Sequence, residues 1–246
     1  VVERELEGGN PLLDPITADQ IDVTFGWVPE PGTSLTFAGF YKDLSNVWID
    51  ATFEGQEVLL TGQAVLNPET GEGFSRVEAI GNAASATLLG LEVGLNHQFL
   101  WMPRPFDGLF FSGNFTFIDG ETKSDLIRGG QKFRLENQSK WIGNVSIGHE
   151  NDWWTGRVSA NYRGRQLNNV DPSNPAEDTF VANFFSVDIN LRFNVVPDLL
   201  QVYVDVNNIN NERDVRFLNG DALNGQFFES IERFGRTIQL GAVARF

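Results

Sequence analysis

Across residues 185–193 apolar and polar side chains alternate without interruption. Phe185, Val187, Ile189, Leu191 and Phe193 share one parity, and Ser186, Asp188, Asn190 and Arg192 share the other. A strand sends successive side chains to opposite faces, so as a strand this segment sorts its chemistry completely; at helical spacing the same residues would scatter around the axis. Residues 201–207 repeat the pattern, with Val202, Val204 and Val206 opposite Gln201, Tyr203, Asp205 and Asn207. Over residues 89–101 the odd positions are Leu89, Leu91, Val93, Leu95, His97, Phe99 and Trp101, against Gly90, Glu92, Gly94, Asn96 and Gln98, with Leu100 the exception. The same period predicts strands over residues 18–28, 34–48, 109–120, 140–150, 154–164 and 233–246, about nine in all.

The connections alternate in length. Short turns at residues 29–33, 103–108, 151–153 and 196–199 carry Pro, Gly, Asp or Asn. Between them lie long polar stretches near residues 50–84, 121–139, 165–178 and 211–232. An up-and-down meander with tight turns at one rim and long loops at the other is the pattern of an outer-membrane barrel. Aromatic residues gather beside the short turns: Trp27, Phe99, Trp101, Phe110, Phe111, Trp153, Trp154 and Phe193. They read as a girdle at a membrane interface. The opposite parity holds Arg157, Arg163, Asp188, Arg192 and Asp205, which suits a wet bore. A soluble β-sandwich burying its apolar parity in a core remains the alternative.

Composition agrees with strands and turns. The 246 residues include 21 Phe, 6 Trp and 25 Gly beside a single Met. No run of about 18 apolar residues occurs, which excludes a membrane-spanning helix but not a spanning strand of about 10 residues. The net charge of −15 argues against nucleic acid as a partner, because phosphate contacts need clustered Lys and Arg. Cysteine is absent, which excludes disulfides and thiolate metal sites, and two histidines cannot build a histidine-rich metal cluster. The first residue is Val1, with no charged and apolar leader behind it, so the chain reads as processed or as a piece of something larger.

The last predicted strand reaches the last residue. Ile238, Leu240, Ala242, Ala244 and Phe246 share one parity, and Thr237, Gln239, Gly241 and Arg245 the other, where Val243 is the exception. A terminal Phe closing an alternating strand resembles the assembly signal of outer-membrane proteins, which makes Phe246 its candidate. Three spaced motifs then reach a family. Gly9-Asn10-Pro11-Leu12-Leu13-Asp14-Pro15, followed by Ala18-Asp19-Gln20-Ile21-Asp22 and by Phe40-Tyr41-Lys42-Asp43-Leu44, resembles the opening order of the C-terminal barrel part of TonB-dependent receptors. Val204-Asp205-Val206-Asn207-Asn208-Ile209-Asn210-Asn211-Glu212 is similar to that family's NNLxNE signature, and Phe234-Gly235-Arg236 with Leu240-Gly241 and Phe246 to its ending.

This resemblance covers essentially the whole chain. It implies an all-β fold, an antiparallel transmembrane β-barrel portion of about nine strands completing a barrel of about 22. It also implies energy-coupled uptake of a scarce nutrient, such as a carbohydrate or a metal-siderophore, across the bacterial outer membrane. Residues 1–246 would be the C-terminal part of the barrel, with the plug domain and about thirteen earlier strands outside this chain. Orientation supports this. With the short turns at one side, first and last strands run in the same direction, so nine strands would close only by a parallel pair. An open edge in hydrocarbon leaves backbone groups unpaired at several kcal/mol each. The implied partners are outer-membrane lipid, the remaining strands and plug as a separate segment or chain, TonB through the missing plug, and the barrel-assembly machinery. A passive porin-like channel and a soluble β-rich binding module are the alternative functions.

No enzymatic constellation is visible, and no cofactor is implied. His97 and His149 fall on the apolar parity and read as interfacial residues near a barrel rim. Asn114-Phe115-Thr116, Asn137-Gln138-Ser139 and Asn144-Val145-Ser146 match the glycosylation pattern but carry no meaning in bacterial strands. Function is expected in two places. Arg157, Asn161, Arg163, Asp188, Asn190, Arg192, Asp205 and Asn207 are candidates for facing the plug or the substrate path, against the reading of a solvated wall. Asn224, Gln226, Phe227 and Phe228, in the run 224–229, are candidates for an outward ligand platform, against a self-packed loop. Aromatic faces beside amides suit sugars, and a strongly acidic vestibule would repel anionic ferric chelates.

Overall fold

The computed structural model describes residues 5–8, 13–54, 76–125, 127–171, 174–219 and 228–245. In chain order the strands are β1 (Glu5–Gly8), β2 (Thr17–Trp27), β3 (Thr33–Glu54), β4 (Arg76–Gln98), β5 (Leu109–Ser124), β6 (Lys132–Arg134), β7 (Trp141–Glu150), β8 (Trp154–Arg163), β9 (Gln166–Asn169), β10 (Thr179–Val181), β11 (Phe184–Val196), β12 (Leu200–Asn207), β13 (Asp214–Leu218), β14 (Phe228–Glu232) and β15 (Thr237–Ala244). One sheet runs β15-β12-β11-β8-β7-β5-β4-β3-β2, with every neighbouring pair on that path antiparallel. These are the strands that the period-two pattern predicts. β2 and β15 are the two edges of this path, and among the described residues the sheet is open, as expected of a partial barrel.

Register carries the alternation from strand to strand. One apolar row crosses Phe25, Phe37, Val93, Phe115, Gly143, Tyr162 and Phe185, and another His97, Phe111, Ile147, Val158, Ile189, Val206 and Ile238. The opposite face carries the row Gly26, Thr36, Gly94, Asn114, Asn144, Asn161 and Ser186. Because pairing keeps each side chain on its face, one sheet holds one greasy and one polar surface. Leu91 and Ile147 lie on interior strands yet are 57% and 54% exposed. A sandwich would bury them, and among the described residues no second sheet covers them.

The turns follow their sequences. At the β2–β3 turn Thr33 N–H donates to the Glu30 carbonyl at 3.1 Å, with Pro31 next and Gly32 at φ 84°, the arrangement of a type II turn, whose third position favours glycine. At the β7–β8 turn the Asn151 carboxamide oxygen accepts from the backbone of Trp153 and Trp154, each at 2.9 Å.

Four differences from the sequence reading stand out. β3 and β4 continue pairing through Glu54 and Arg76, deep into the stretch expected to be polar connection, because Ile49, Ala51 and Phe53 alternate with Asp50, Thr52 and Glu54 and carry the period of two past residue 50. The last strand starts at Thr237, leaving 233–236 as connection. β1 pairs with β4 in parallel, an exception to the antiparallel rule. Phe110, counted in the girdle, stands on the polar face, in the row of Gln98, Gly148 and Arg157.

The long connections also hold structure. β9 and β10, between β8 and β11, join β13 and β14, between β12 and β15, in a second sheet of order β14-β13-β10-β9. Its core is Ile127, Leu167, Val170, Phe180 and Phe217, packed against Ala84 and Phe133. Ala84 pairs with Ser124, Ala86 with Thr122, and Thr122 with Phe133. Ala84, Ala86, Thr122 and Ser124 lie on the polar parity of β4 and β5, and Ala86, Thr122 and Ser124 are almost fully covered. This small sheet therefore caps the polar side of the wall.

Candidate functional site

The polar face and its cap form the candidate site. Single strands present small polar residues at alternate positions, and register turns them into ladders. Asn144 Nδ2 donates to Asn114 Oδ1 at 2.9 Å, and Ser112 Oγ to Asn96 Oδ1 at 2.6 Å. Of the predicted candidates, Asn161 donates through Nδ2 to Asp188 Oδ2 at 3.0 Å. Asp205 Oδ1 accepts from Asn190 Nδ2 at 2.8 Å and from Arg192 Nη1 at 3.3 Å. Arg157 lies over the Phe110 ring, 5.4 Å from its centre, and Arg163 over Phe184 at 5.8 Å. Arg163 also reaches Asp214 of the cap at 3.8 Å. Asn207 pairs in register with Thr237. The structure thus brings Asn161 to Asp188, and Asn190 and Arg192 to Asp205, and leaves Arg157 and Arg163 on aromatic faces.

Aromatic rings on this face have a second role. A Cβ on Gly90 would collide with Phe40, one on Gly148 with Phe110, and one on Gly241 with Tyr203. Each ring occupies the space above a glycine on the neighbouring strand, which restores packing where the glycine offers none. Alternation predicts polar residues at these positions and misses this pairing; a glycine at the matching register position is the signal.

In the cap, Arg165 stands over two rings, 3.7 Å from the centre of Phe180 and 4.7 Å from that of Phe217, while its Nη2 donates to Asn219 Oδ1 at 3.1 Å. Burial pushes its guanidinium below the ordinary value, and the Arg134 charge acts the same way. Arg128 and Asp178 form an ion pair buried to 9% and 7% side-chain exposure. Arg128 also donates to the Asp171 carbonyl at 2.7 and 3.0 Å, and Asp178 accepts from Asp171 N–H at 2.9 Å. At its edge Glu121 accepts from Lys132 Nζ at 2.6 Å and holds that ammonium above its ordinary range. The sequence reading treats these segments as loops and misses all of these residues. The alternation Asp214, Val215, Arg216, Phe217 is the one visible hint.

Phe228 opens β14, opposite Phe217 in register, and is exposed. Asn224, Gln226 and Phe227 of the expected ligand platform lie outside the described residues, as does Phe246. His97 and His149 sit where expected, at the short-turn end of the apolar face. His97 Nδ1 is 2.8 Å from Thr33 Oγ1, and the His149 ring stacks on Trp154 with centres 4.9 Å apart.

The signature segments meet at the opposite rim. Asn210 accepts from Val187 N–H at 3.0 Å and donates to the Phe185 carbonyl at 2.6 Å, so one side-chain amide takes the place of a strand partner. Asn208, at φ 55°, accepts from Glu212 N–H at 2.7 Å and donates to the Gly235 carbonyl at 3.0 Å. Arg236 Nε donates to the Ile209 carbonyl at 2.7 Å. Two motifs far apart in sequence thereby clasp each other beside β11. At the other edge Asn82 repeats the device, accepting from Asp14 N–H at 2.6 Å and donating to the Asp14 carbonyl at 2.9 Å.

Comparison with known proteins fits this geometry. Residues 4–209 match the sequence model of the family described as TonB dependent receptor-like, beta-barrel. No curated protein matches the chain in sequence. Among solved structures, the copper transporter OprC superposes with a TM-score of 0.63 at 14% identity, over 94% of this chain and 32% of its own. The siderophore receptor PirA from Acinetobacter baumannii gives 0.61 at 16%, over 96% and 32%. The ferric yersiniabactin uptake receptor FyuA from Yersinia pestis gives 0.59 at 17%, over 92% and 29%. The chain thus spans 29% to 32% of the length of these structures, and identities this low speak for the fold alone.

Proposed function

This chain belongs to the TonB-dependent receptor β-barrel family, and on that premise we propose that it is part of an outer-membrane receptor for energy-coupled uptake of a metal complex. The observation that carries the proposal is the pairing of the family match with one sheet whose apolar face no other described residues cover and whose opposite face is an amide and carboxylate ladder. In this reading the apolar face meets lipid. The ladder lines a bore that a plug fills, contributed by a segment outside residues 1–246, together with the strands that pair with the β2 and β15 edges. TonB acts through that plug, and the cap lies over the outward mouth. The neighbours named for ferric chelates and copper support a metal complex as cargo.

Energy coupling separates this reading from a passive channel. Cells carrying the intact gene should accumulate labelled ferric or copper chelates, lose that uptake when the gene is deleted, and lose it equally when de-energised. Uptake that survives de-energising would instead support a porin-like pore, and gene-dependent growth on a sugar alone would replace the metal cargo with carbohydrate.

A further inference from the structure

Residues 99–108, between β4 and β5, form the longest of the connections at the short-turn end, and they are greasy: Phe99, Leu100, Trp101, Met102, Pro103, Pro105 and Phe106. This turn does not hang free below the strands. The Pro105 carbonyl accepts a hydrogen bond from His149 Nε2 at 2.6 Å. A carbonyl only accepts, so Nε2 carries the proton. His149 lies on the apolar parity of β7, opposite Leu109 and against Trp154. The turn is therefore bent back toward the apolar face. Gly108 permits that approach, because a Cβ there would collide with the Glu150 carbonyl oxygen.

The other arm of the turn extends the same face beyond the strand end. His97 and Phe99 meet edge to face at 4.5 Å between centres, and Phe99 and Trp101 at 6.3 Å. Trp101 is 71% exposed, and Leu100 and Phe106 are each 55% exposed. Beside them Arg104 holds its guanidinium in the open, 3.6 Å from Asp107. An amphipathic indole next to a cation, continuous with an apolar band, fits the layer between headgroups and acyl chains.

We propose that residues 99–108 form a membrane foot, docked in the lipid interface of the leaflet on the short-turn side, with Trp101 and Phe106 among the first acyl carbons and Arg104 at the lipid phosphates. This rests on the reading that the apolar face meets lipid. A protein partner is the competing occupant, but a partner approaching from the water would not meet residues turned toward the band.

The test is tryptophan quenching in the intact receptor, reconstituted in phosphatidylcholine vesicles whose lipids carry bromine near the headgroup or deep in the chain. The Trp101 signal is the difference between the native receptor and Trp101→Phe, a change at an exposed ring that folding should tolerate. We expect that signal to be lost with shallow bromines, less with deep ones, and to resist aqueous iodide. Quenching by iodide without loss to bromolipid would place the turn in water and overturn the foot. Protection from both would mean a protein cover and overturn it equally. Ile147→Trp, on the apolar face, is the control. Its quenching by bromolipid while Trp101 escapes would sink the foot alone, whereas failure of both would sink the lipid-facing reading beneath it. Gly108→Ala should shift the Trp101 signal toward iodide; no shift would remove the clamp from the account.

Discussion

Asn82 and Asn210 each lend a carboxamide where a strand partner is missing, giving one acceptor and one donor to a single stretch of backbone. The amide of Asn carries the same two groups as a peptide unit, which explains why a run of asparagines marks the rim rather than a ligand site. Asn210→Ala should cost about 1–3 kcal/mol for two hydrogen bonds, read from urea unfolding of the receptor in detergent. Asn210→Gln should not recover it, because the longer side chain misplaces both groups. Asp178→Ala leaves Arg128 buried without its counter-charge and should destabilise the cap by about 3–5 kcal/mol. Hydrogen exchange should rise across β9, β10 and β13 while β7 and β8 stay protected. Unchanged exchange in the cap would remove that pair from its support. Neither role is legible in the sequence. Asn161, Asp188, Asn190, Arg192 and Asp205 can be assigned to one face from parity alone, but their partners depend on cross-strand register, which alternation does not fix.

At the scale of strands the sequence is far more informative. A strand with one apolar side and one polar side repeats its signal over many residues, as Phe185 to Phe193 do, and all nine strands of the main path are found this way. β9, β10, β13 and β14 escape because each spans only three to five residues, too few to separate alternation from chance. The height of the apolar band agrees with its proposed setting. From Leu89 to Phe99 there are ten rises of about 3.3 Å, and a tilt of about 40° reduces that span to roughly 25 Å, the height of a barrel's lipid-facing band. Parity can be tested at the β15 edge. Leu240 is 74% exposed and pairs with Val204, whereas Gln239 pairs with Asp205 on the opposite face. Leu240→Asp should lower the yield of assembled receptor in the membrane, by a cost of up to about 2–4 kcal/mol if Asp behaved like Arg or Lys at the midplane. Gln239→Asp should leave the yield near native. Equal yields from the two variants would refute the assigned phase.

The whole molecule is defined by what its two edges leave unpaired. Among the described residues β2 and β15 each pair on one side only along the main path, and both run toward the short-turn end. They cannot close on each other antiparallel, and in hydrocarbon each unpaired backbone group costs several kcal/mol. Further strands of the receptor are therefore expected on both edges. The cap adds a second constraint, since its core joins three long connections, those after β5, β8 and β12, into one packed unit on the polar side of the wall. All of this depends on which face meets lipid. The most direct measurement is a nitroxide scan over residues 185–193 of the intact receptor in vesicles, reading collision with oxygen, which concentrates in lipid, and with a water-soluble nickel chelate. Labels at 185, 187, 189, 191 and 193 should collide with oxygen and be shielded from nickel, and those at 186, 188, 190 and 192 should not share that oxygen exposure, so that the profile has a period of two. If the odd positions are shielded from oxygen and nickel alike, that face is packed in a dry core and the account is contradicted.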